Sequence, residues 1–518
     1  MAQNFIAVDR EQVLLMPPSL REWLPEDHFA WFVLATVERL DLSAFYRAYR
    51  PDGHGRAAFD PRLMVGVLFY SYSHGLMSSR GIERACVENV AVRVVAANQK
   101  PDHATIARFR QRHEDALAGL FNGVLKLCAQ AGLVNVGLIA IDGSKLSANA
   151  SQECSYEYER IVRELLAEAD RIDREEDEQH GESRGDELPE HLRTEEGRRA
   201  ALAQARERLE RELADGGSED GEEDDSDPGS PDLEIELDAI AIVAGQNGRQ
   251  GWFREARRQV ERQRELAARP IRRSRAQRLL DTELRMQQNL AATVFANERY
   301  EEYRAQGRMK NGRRFGGPPK PFVPPTLPEG KINLTDPDSG SMKTLRGHMQ
   351  GYNAQMATNE QQIVLAAEIT VVAPDFGVLE PMVTATLGEL HTAGITERPG
   401  VVVADAGYWH QAQMERVINE GIQVLIPPDA AKRASARPGW EGGYYAHMRR
   451  VLATEHGGGL YKRRQAMIEP VFAHTKFNRG INRFLRRGRS AVRAEWRLIT
   501  ATHNLLKLHK HQIDTSGA

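Results

Sequence analysis

Two apolar runs, each closing on an aspartate, constrain this chain more than any other feature. The first reads Leu138-Ile139-Ala140-Ile141-Asp142-Gly143, a buried strand that stops on a carboxylate followed by a glycine. The second reads Val401-Val402-Val403-Ala404-Asp405-Ala406-Gly407-Tyr408 and is apolar on both faces, as a central strand covered by helices on both sides is. Ligand and catalytic groups of open α/β sheets collect at the carboxyl ends of strands, so Asp142 and Asp405 are candidates for one shared site. Taken singly, each is more simply a turn residue or a helix cap. The two lie 263 residues apart (405 minus 142), where a strand crossover typically needs a dozen or more, so something is inserted between them.

A third acid comes from Tyr461 to Lys476, YKRRQAMIEPVFAHTK, where Glu469 and Lys476 are seven residues apart and fall on one face of a helix. Pro470 directly after Glu469 predicts that the regular helix begins near there, because proline fits a first turn and not an interior; a kinked helix is the alternative. Val471, Phe472, Ile481 and Phe484 supply the packed face.

At this point the chain resembles the DDE transposases of bacterial insertion sequences, whose catalytic core is ribonuclease-H-like. The resemblance is carried by IAIDGSKLSANAS at Ile139 to Ser151, TDPDSGSMK at Thr335 to Lys343, GYNAQMA at Gly351 to Ala357, VVADAGYW at Val402 to Trp409 and IEPVFAHTK at Ile468 to Lys476, with PDHATIARFRQRH at Pro101 to His113 matching the helical N-terminal module of one branch. It spans most of the chain outside roughly residues 152 to 330. One departure stands out: the family pattern places three residues between its Arg and its Glu, whereas four separate Arg464 from Glu469, and Gln465 stands where the family Arg would be.

The resemblance implies that Asp142, Asp405 and Glu469 hold two Mg²⁺ ions, which Mn²⁺ can replace, and that Lys476, Arg464 and Tyr461 face DNA. The chemistry agrees: phosphodiester cleavage needs an activated water or hydroxyl and charge neutralisation on both oxygens, which two ions about 3.5 to 4 Å apart supply. Mg²⁺ takes oxygen ligands and usually one or two protein carboxylates. Without the resemblance, Lys476 reads equally as a solvated helix lysine. The implied activity is cutting of an insertion sequence's ends in double-stranded DNA and joining to target DNA, by a homodimer or larger assembly in the cytoplasm. A DNA-binding protein that cuts nothing, a ribonuclease-H-like nuclease and a helical scaffold that recruits a protein partner are the rivals.

The order of segments predicts an α/β ribonuclease-H-like mixed sheet with an all-helical N-terminal domain and a helical, coiled-coil-like insertion. After the strand ending at Asp142 come the alternating segment Tyr352 to Thr358, the strand Ile363 to Val372, a helix Phe376 to Thr392, the strand ending at Asp405, a helix His410 to Glu420, the strand Ile422 to Ile426 and the Glu469 helix. The expected domains are a helical N-terminal DNA-binding or dimerisation domain over 1–131, a ribonuclease-H-like catalytic domain over 132–151 and 331–518, a helical insertion over 152–311 and a Pro/Gly linker over 312–330. Within the insertion, the acidic run 215–231 is expected to be solvated, and Trp252-Phe253 among arginines either grips DNA or anchors the bundle, the latter being the simpler reading.

Before the sheet, Asp60-Pro61 is a good helix start and Gly75 a stop, Ser78-Ser79 can cap the next helix, and a longer helix runs from Ala104 to about Ala131. Arg108, Arg110, Arg112 and His113 on that helix suggest a helix-turn-helix that contacts DNA, with dimerisation or packing as the alternative. A loop-rich stretch from Pro427 to Gly459, with Trp440, Tyr444, Tyr445, Arg449 and Arg450, is expected to face DNA.

The net charge of −4 conceals an asymmetry: from Lys432 to Ala518 there are 18 Lys and Arg against five Asp and Glu, a net of +13 (18 minus 5). Such a block is an electrostatic footprint of phosphate binding. No apolar run reaches bilayer length, the first residues lack a secretory pattern, and Cys86, Cys128 and Cys154 have neither metal nor disulfide spacing, which points to a reducing cytoplasm.

Overall fold

The structure is a computed structural model that describes residues 19–49, 58–180, 236–244, 248–266, 275–305, 309–310, 313–314, 322–344, 347–429 and 442–516. The acidic run 215–231, Trp440 and residues 312 and 315–321 of the linker lie outside the described residues.

The N-terminal helices are α1 (Phe29–Arg39), α2 (Pro61–Ser73), α3 (Ser79–Glu88), α4 (Val90–Val95), α5 (His103–Arg112) and α6 (Glu114–Gln130). Asp60 caps α2 by accepting the Arg62 N–H at 2.7 Å, and Pro61 occupies its first position, where a missing N–H costs nothing. Gly75, at φ +76°, ends it. The single helix expected from Ala104 to Ala131 is instead broken at His113, whose buried ring packs on Phe45, Tyr49 and Phe109. Tertiary packing overrides helical continuity there.

One mixed sheet of six strands follows: β1 (Leu138–Ser147), β2 (Gly340–Thr344), β3 (Gly347–Asn359), β4 (Val364–Thr370), β5 (Val401–Val403) and β6 (Gln423–Leu425). β1 lies parallel to β5, and β5 parallel to β6. On its other side β1 is antiparallel to β3, which pairs antiparallel with β2 and β4. This is the expected ribonuclease-H-like arrangement, with helices packed around the sheet. The strand β2 was not anticipated. β1 also continues past Asp142, because Gly143 to Ser147 go on pairing with Gly351 to Gln355 of β3. Asp142 is thus a mid-strand residue.

The insertion between β1 and β2 contributes α7 (Tyr158–His180), α8 (Arg249–Leu266) and α9 (Arg275–Ala305). A short antiparallel ribbon, Ser155–Tyr156 against Ile332–Asn333, closes its neck. Trp252 and Phe253 are buried, Trp252 edge-on to Tyr300 at 5.3 Å, so they anchor the bundle and offer no stacking platform for a base. The 335–343 motif is also structural. Asp336 is buried and accepts the Tyr352 hydroxyl at 2.8 Å, while Asp338 pairs with Arg285 of α9 and accepts the Arg489 N–H at 2.8 Å.

After β4 come α10 (Leu379–Thr392) and α11 (Gln411–Asn419), then α12 (Gly443–Ala453), α13 (Glu455–Ala473) and α14 (Arg489–Ser516). The stretch expected to be loop is therefore largely helical where described. Tyr445 is buried and bonds Asp429, which also accepts Arg449 at 2.7 Å. The expectation that the Glu469 helix begins at Pro470 is also corrected: Thr454 caps α13, and Pro470 sits inside it. An interior proline frees the carbonyl four residues back. Here that carbonyl, Ala466, accepts the Gln362 side-chain amide at 2.8 Å, so the lost helical bond is replaced from the β3–β4 turn.

α14 packs against α2, α6 and β4, and one continuous apolar core joins the N-terminal helices to both faces of the sheet. Arg479 is buried, its guanidinium bonded to the carbonyls of Tyr72 and Ile499 and to the Thr502 hydroxyl; with no carboxylate in ion-pair distance among the described residues, burial pushes its pKa down to about 9. Arg486 pairs with Glu114 at 2.7 Å, Arg493 with Glu368 at 2.6 Å, and Arg497 with Glu389. Much of the basic C-terminal block is thus internal ion pairing, and its +13 overstates the charge presented to a polyanion.

Candidate active site

The register of β1 and β5 puts the two aspartates side by side. Ala140 is opposite Val403, so Asp142 and Asp405, each two residues further on, emerge from the same edge and face of adjacent parallel strands. Asp405 has extended backbone and its Oδ1 accepts the Gly407 N–H at 2.8 Å, so it caps a short turn as well as facing the site. Asp142 Oδ1 accepts the Gly143 N–H at 2.8 Å.

α13 crosses this edge. Arg464 Nη1 donates to Asp142 Oδ2 at 2.8 Å, and its Nη2 lies 3.8 Å from Glu469 Oε1, so one guanidinium stands between the two carboxylates. Despite the altered spacing, Arg464 is therefore part of the site. Tyr461 lies one turn back, its ring 6.0 Å from the guanidinium carbon. Glu469 itself is half exposed.

A wide turn of π type, His474–Asn478, follows α13 and adds a residue to the helical count, so the seven-residue spacing of Glu469 and Lys476 no longer fixes a common face. Lys476 instead reaches β1 beyond Asp142, donating to Ser144 Oγ and, at 3.0 Å, to the Lys145 carbonyl. Residues 482 to 484 continue beside the end of β1, with Ser147 N–H to Asn482 O at 3.1 Å and Phe484 N–H to Ser147 O at 2.9 Å. These contacts fix the end of α13 relative to β1.

Burial sets the electrostatics. It pushes the Asp142 carboxyl up to about 6, against the pull of Arg464 and with help from Asp405. Asp405 is raised for the same reason, opposed by the Gly407 N–H. Burial alone lowers the Lys476 ammonium. For Arg464, burial works downward, but Asp142, Tyr461 and Asp405 together hold it above its usual value.

An oxygen-only donor set of partly desolvated carboxylates suits a hard cation. Among the described residues, however, no group of three or more His, Cys, Asp or Glu side chains is gathered to hold a metal ion. The pair Asp142 and Asp405 fits; Glu469 completes it only if Arg464 moves aside, since the guanidinium now neutralises the charge that a cation would.

Of the N-terminal arginines, Arg108 is exposed, and Arg112 is exposed but bonded to the Ala48 carbonyl and placed over the Tyr49 ring at 5.0 Å. Arg110 points inward. It is 8% exposed and donates to the Tyr72 hydroxyl at 2.9 Å, the Met77 carbonyl at 2.8 Å and Ser79 Oγ. It shares a stripe with Ile106, Phe109 and His113, which the i, i+3, i+4 spacing already indicated. A short helix, α4, separates α3 from α5, which is not the tight turn of a minimal helix-turn-helix.

Sequence reasoning missed Asp375, on the turn between β4 and α10. Its Oδ1 accepts Asn353 Nδ2 at 2.8 Å and Gln355 Nε2 at 2.7 Å, and Gln355 Oε1 in turn accepts the Tyr408 hydroxyl. The available signal was the pair of amides at alternate positions inside the otherwise apolar strand GYNAQMA.

The Transposase domain (DUF772) matches residues 18–112, which hold Arg108, Arg110 and Arg112. The Transposase DDE domain matches residues 429–509, which hold Tyr461, Arg464, Glu469 and Lys476 but neither aspartate. No curated protein and no solved structure matches the chain. The sheet order and these two matches agree: the chain carries a DDE-type transposase domain, preceded by an N-terminal transposase-associated domain.

Proposed function

We propose that this chain is a transposase that cuts the ends of an insertion sequence and joins them to target DNA. The observation that carries the reading is the β1–β5 register, which sets Asp142 beside Asp405 at the edge that Arg464 and Glu469 of α13 cross. Asp142, Asp405 and Glu469 would hold two Mg²⁺ ions, whose chemistry is to lower the pKa of a bound water and neutralise charge on the attacking and leaving oxygens. The chain's own groups orient the rest. Arg464, released from Asp142, is aimed at a phosphate, to which a planar guanidinium binds through two parallel bonds. Lys476 presents a second positive charge at Ser144, and Arg108 and Arg112 contact the duplex away from the cut.

In the first step water attacks the phosphorus at the element's end, and the bond to the 3′ oxygen breaks, leaving a 3′-hydroxyl. In the second, that hydroxyl attacks a target phosphodiester and displaces its 3′ oxygen. Two ends brought together in a dimer or larger assembly account for paired joining.

The test uses DNA flanking the gene, whose matched inverted repeats identify the substrate. Mg²⁺-dependent cutting and joining, both lost in Asp405→Asn, is the expected result. Binding without cutting would instead make the chain a silent DNA-binding protein, and cutting without joining an ordinary nuclease.

A further inference from the structure

We infer that Phe477, Arg483 and Arg487 form the track along which a DNA strand leaves the cut, with Phe477 stacking on a base beside the broken bond and the two arginines holding phosphates farther along. The inference rests on the reading of the chain as a DNA-cutting enzyme and deepens it.

The track lies on one edge of β1. β3 pairs with β1 from Ile139 to Ser147, so every other partner takes the opposite edge. β5 occupies that edge as far as Ala140, and residues 482 to 484 return to it at Ser147, where Arg483 makes a parallel bridge. Between them comes Asp142 and, two residues on and on the same face, Ser144, whose hydroxyl accepts Lys476. Asp142 and Ser147 are five residues apart (147 minus 142), about 17 Å at a strand's rise and so about five nucleotides at the rise of a DNA strand.

The charges at the far end of that edge are uncompensated. Of the arginines from 479 to 497, Arg486, Arg489, Arg493 and Arg497 each meet a carboxylate, and Arg479 is buried. Arg483 and Arg487 do neither. Both are exposed, and among the described residues each is bonded only through Nε to a main-chain carbonyl just past β1, Arg483 to Ala148 at 3.2 Å and Arg487 to Asn149 at 2.9 Å. That bond fixes where the guanidinium stands, while its terminal nitrogens keep the fork that fits a phosphate. Arg483 also lines an open cleft of about 420 Å³ with Ser147, His348 and Asn482, so the row borders space for a nucleic-acid backbone.

Phe477 is held out at the head of the row. It follows Lys476 in the wide turn and is 83% exposed, yet the turn around it is fixed. Thr475, Arg479 and Ile481 are buried; the Ile481 N–H donates to the Thr475 carbonyl at 3.0 Å, and the Arg479 N–H to the His474 carbonyl at 3.0 Å. A ring on such a turn, next to the lysine that reaches Ser144, offers a face on which any base can stack. Nucleic acid supplies both partners at once, flat apolar faces for the ring and phosphates for the arginines.

The experiment measures, by fluorescence anisotropy across a salt series, binding of the full chain to a labelled duplex with a single-stranded thymine overhang and to the same duplex blunt-ended, with urea unfolding of each variant alongside. Phe477→Ala should weaken binding of the overhang duplex by about fivefold or more, affect the blunt duplex less and leave the salt slope unchanged, and Phe477→Trp should restore binding. Arg483→Gln and Arg487→Gln should each reduce the slope of log K against log salt by about one on both duplexes, while Arg483→Lys and Arg487→Lys keep it. All three side chains are exposed, so unfolding midpoints should stay near the parent's. Phe477→Ala that loses no affinity, or loses it equally on both duplexes, overturns the stacking. An unchanged slope in either glutamine variant removes that arginine from the track, and in both it removes the track. A parent chain that binds neither duplex at low salt overturns the DNA-cutting reading, and this inference with it.

Discussion

Whether burial or Arg464 governs Asp142 can be measured without any substrate. The carboxyl is pushed from its ordinary 3.8 to about 6 by burial, although Arg464 sits 2.8 Å away. Below about pH 4 it is protonated in both folded and unfolded chains and does not affect stability. As pH rises the unfolded chain ionises first, so the folded state loses relative stability through about pH 6 and the loss is constant above it. At about 1.4 kcal/mol per unit, a rise of roughly two units makes this loss about 3 kcal/mol. An asparagine does not titrate, and Arg464 stays charged throughout. Relative to Asp142→Asn, the parent should therefore lose about 3 kcal/mol between roughly pH 4 and pH 7.

Urea unfolding at the two pH values reads this directly, and urea leaves the ion pair unscreened where guanidinium chloride would not. Curves that stay parallel, or a parent that gains on the variant as pH rises, would show that Arg464 outweighs burial and would refute the reasoning. If the site takes cations, added Mg²⁺ should narrow the difference at pH 7 by stabilising the parent selectively.

Three further outcomes follow from packing. Gln362→Ala should cost about 0.5–1.5 kcal/mol in urea unfolding by removing the bond to the solvent-exposed Ala466 carbonyl, and less in a Pro470→Ala background, where a helical N–H is restored. Gly75→Ala would put a Cβ 1.9 Å from the Arg479 carbonyl at a φ of +76°, and should cost at least about 1–3 kcal/mol, seen as a lower midpoint. Arg110→Met should lower stability by roughly 3 kcal/mol with no change in the salt dependence of DNA binding, whereas Arg108→Gln should leave stability alone and reduce that slope by about one.

The strands around the site were legible because their signal is local. An apolar run ending in Asp-Gly, or a β-branched run such as Val401 to Val403, reports its own burial. The ordering of strands and helices was legible for the same reason. What escaped depends on partners remote in sequence. Pro470 reads as a helix start until Gln362 is seen to replace the bond it removes. The break at His113 arises from rings on Phe45 and Tyr49. The arginines of the C-terminal block look like a DNA surface in composition, but Arg479, Arg486 and Arg497 are spent inside. Asp375 is a lone acid in a loop, and no spacing marks it; only the glycines and amides that surround it in space do.

The bond from Arg479 to the Tyr72 carbonyl spans 407 residues. During synthesis, α1 to α6 leave the ribosome long before α14, and the apolar faces that α14 covers on α2 and α6 must wait for it. Contacts of such separation close slowly and leave nascent chains open to aggregation. The nascent molecule therefore gains its finished core only after α14 has been made, and a product halted before α14 would lack the helix that packs on α2, α6 and the sheet.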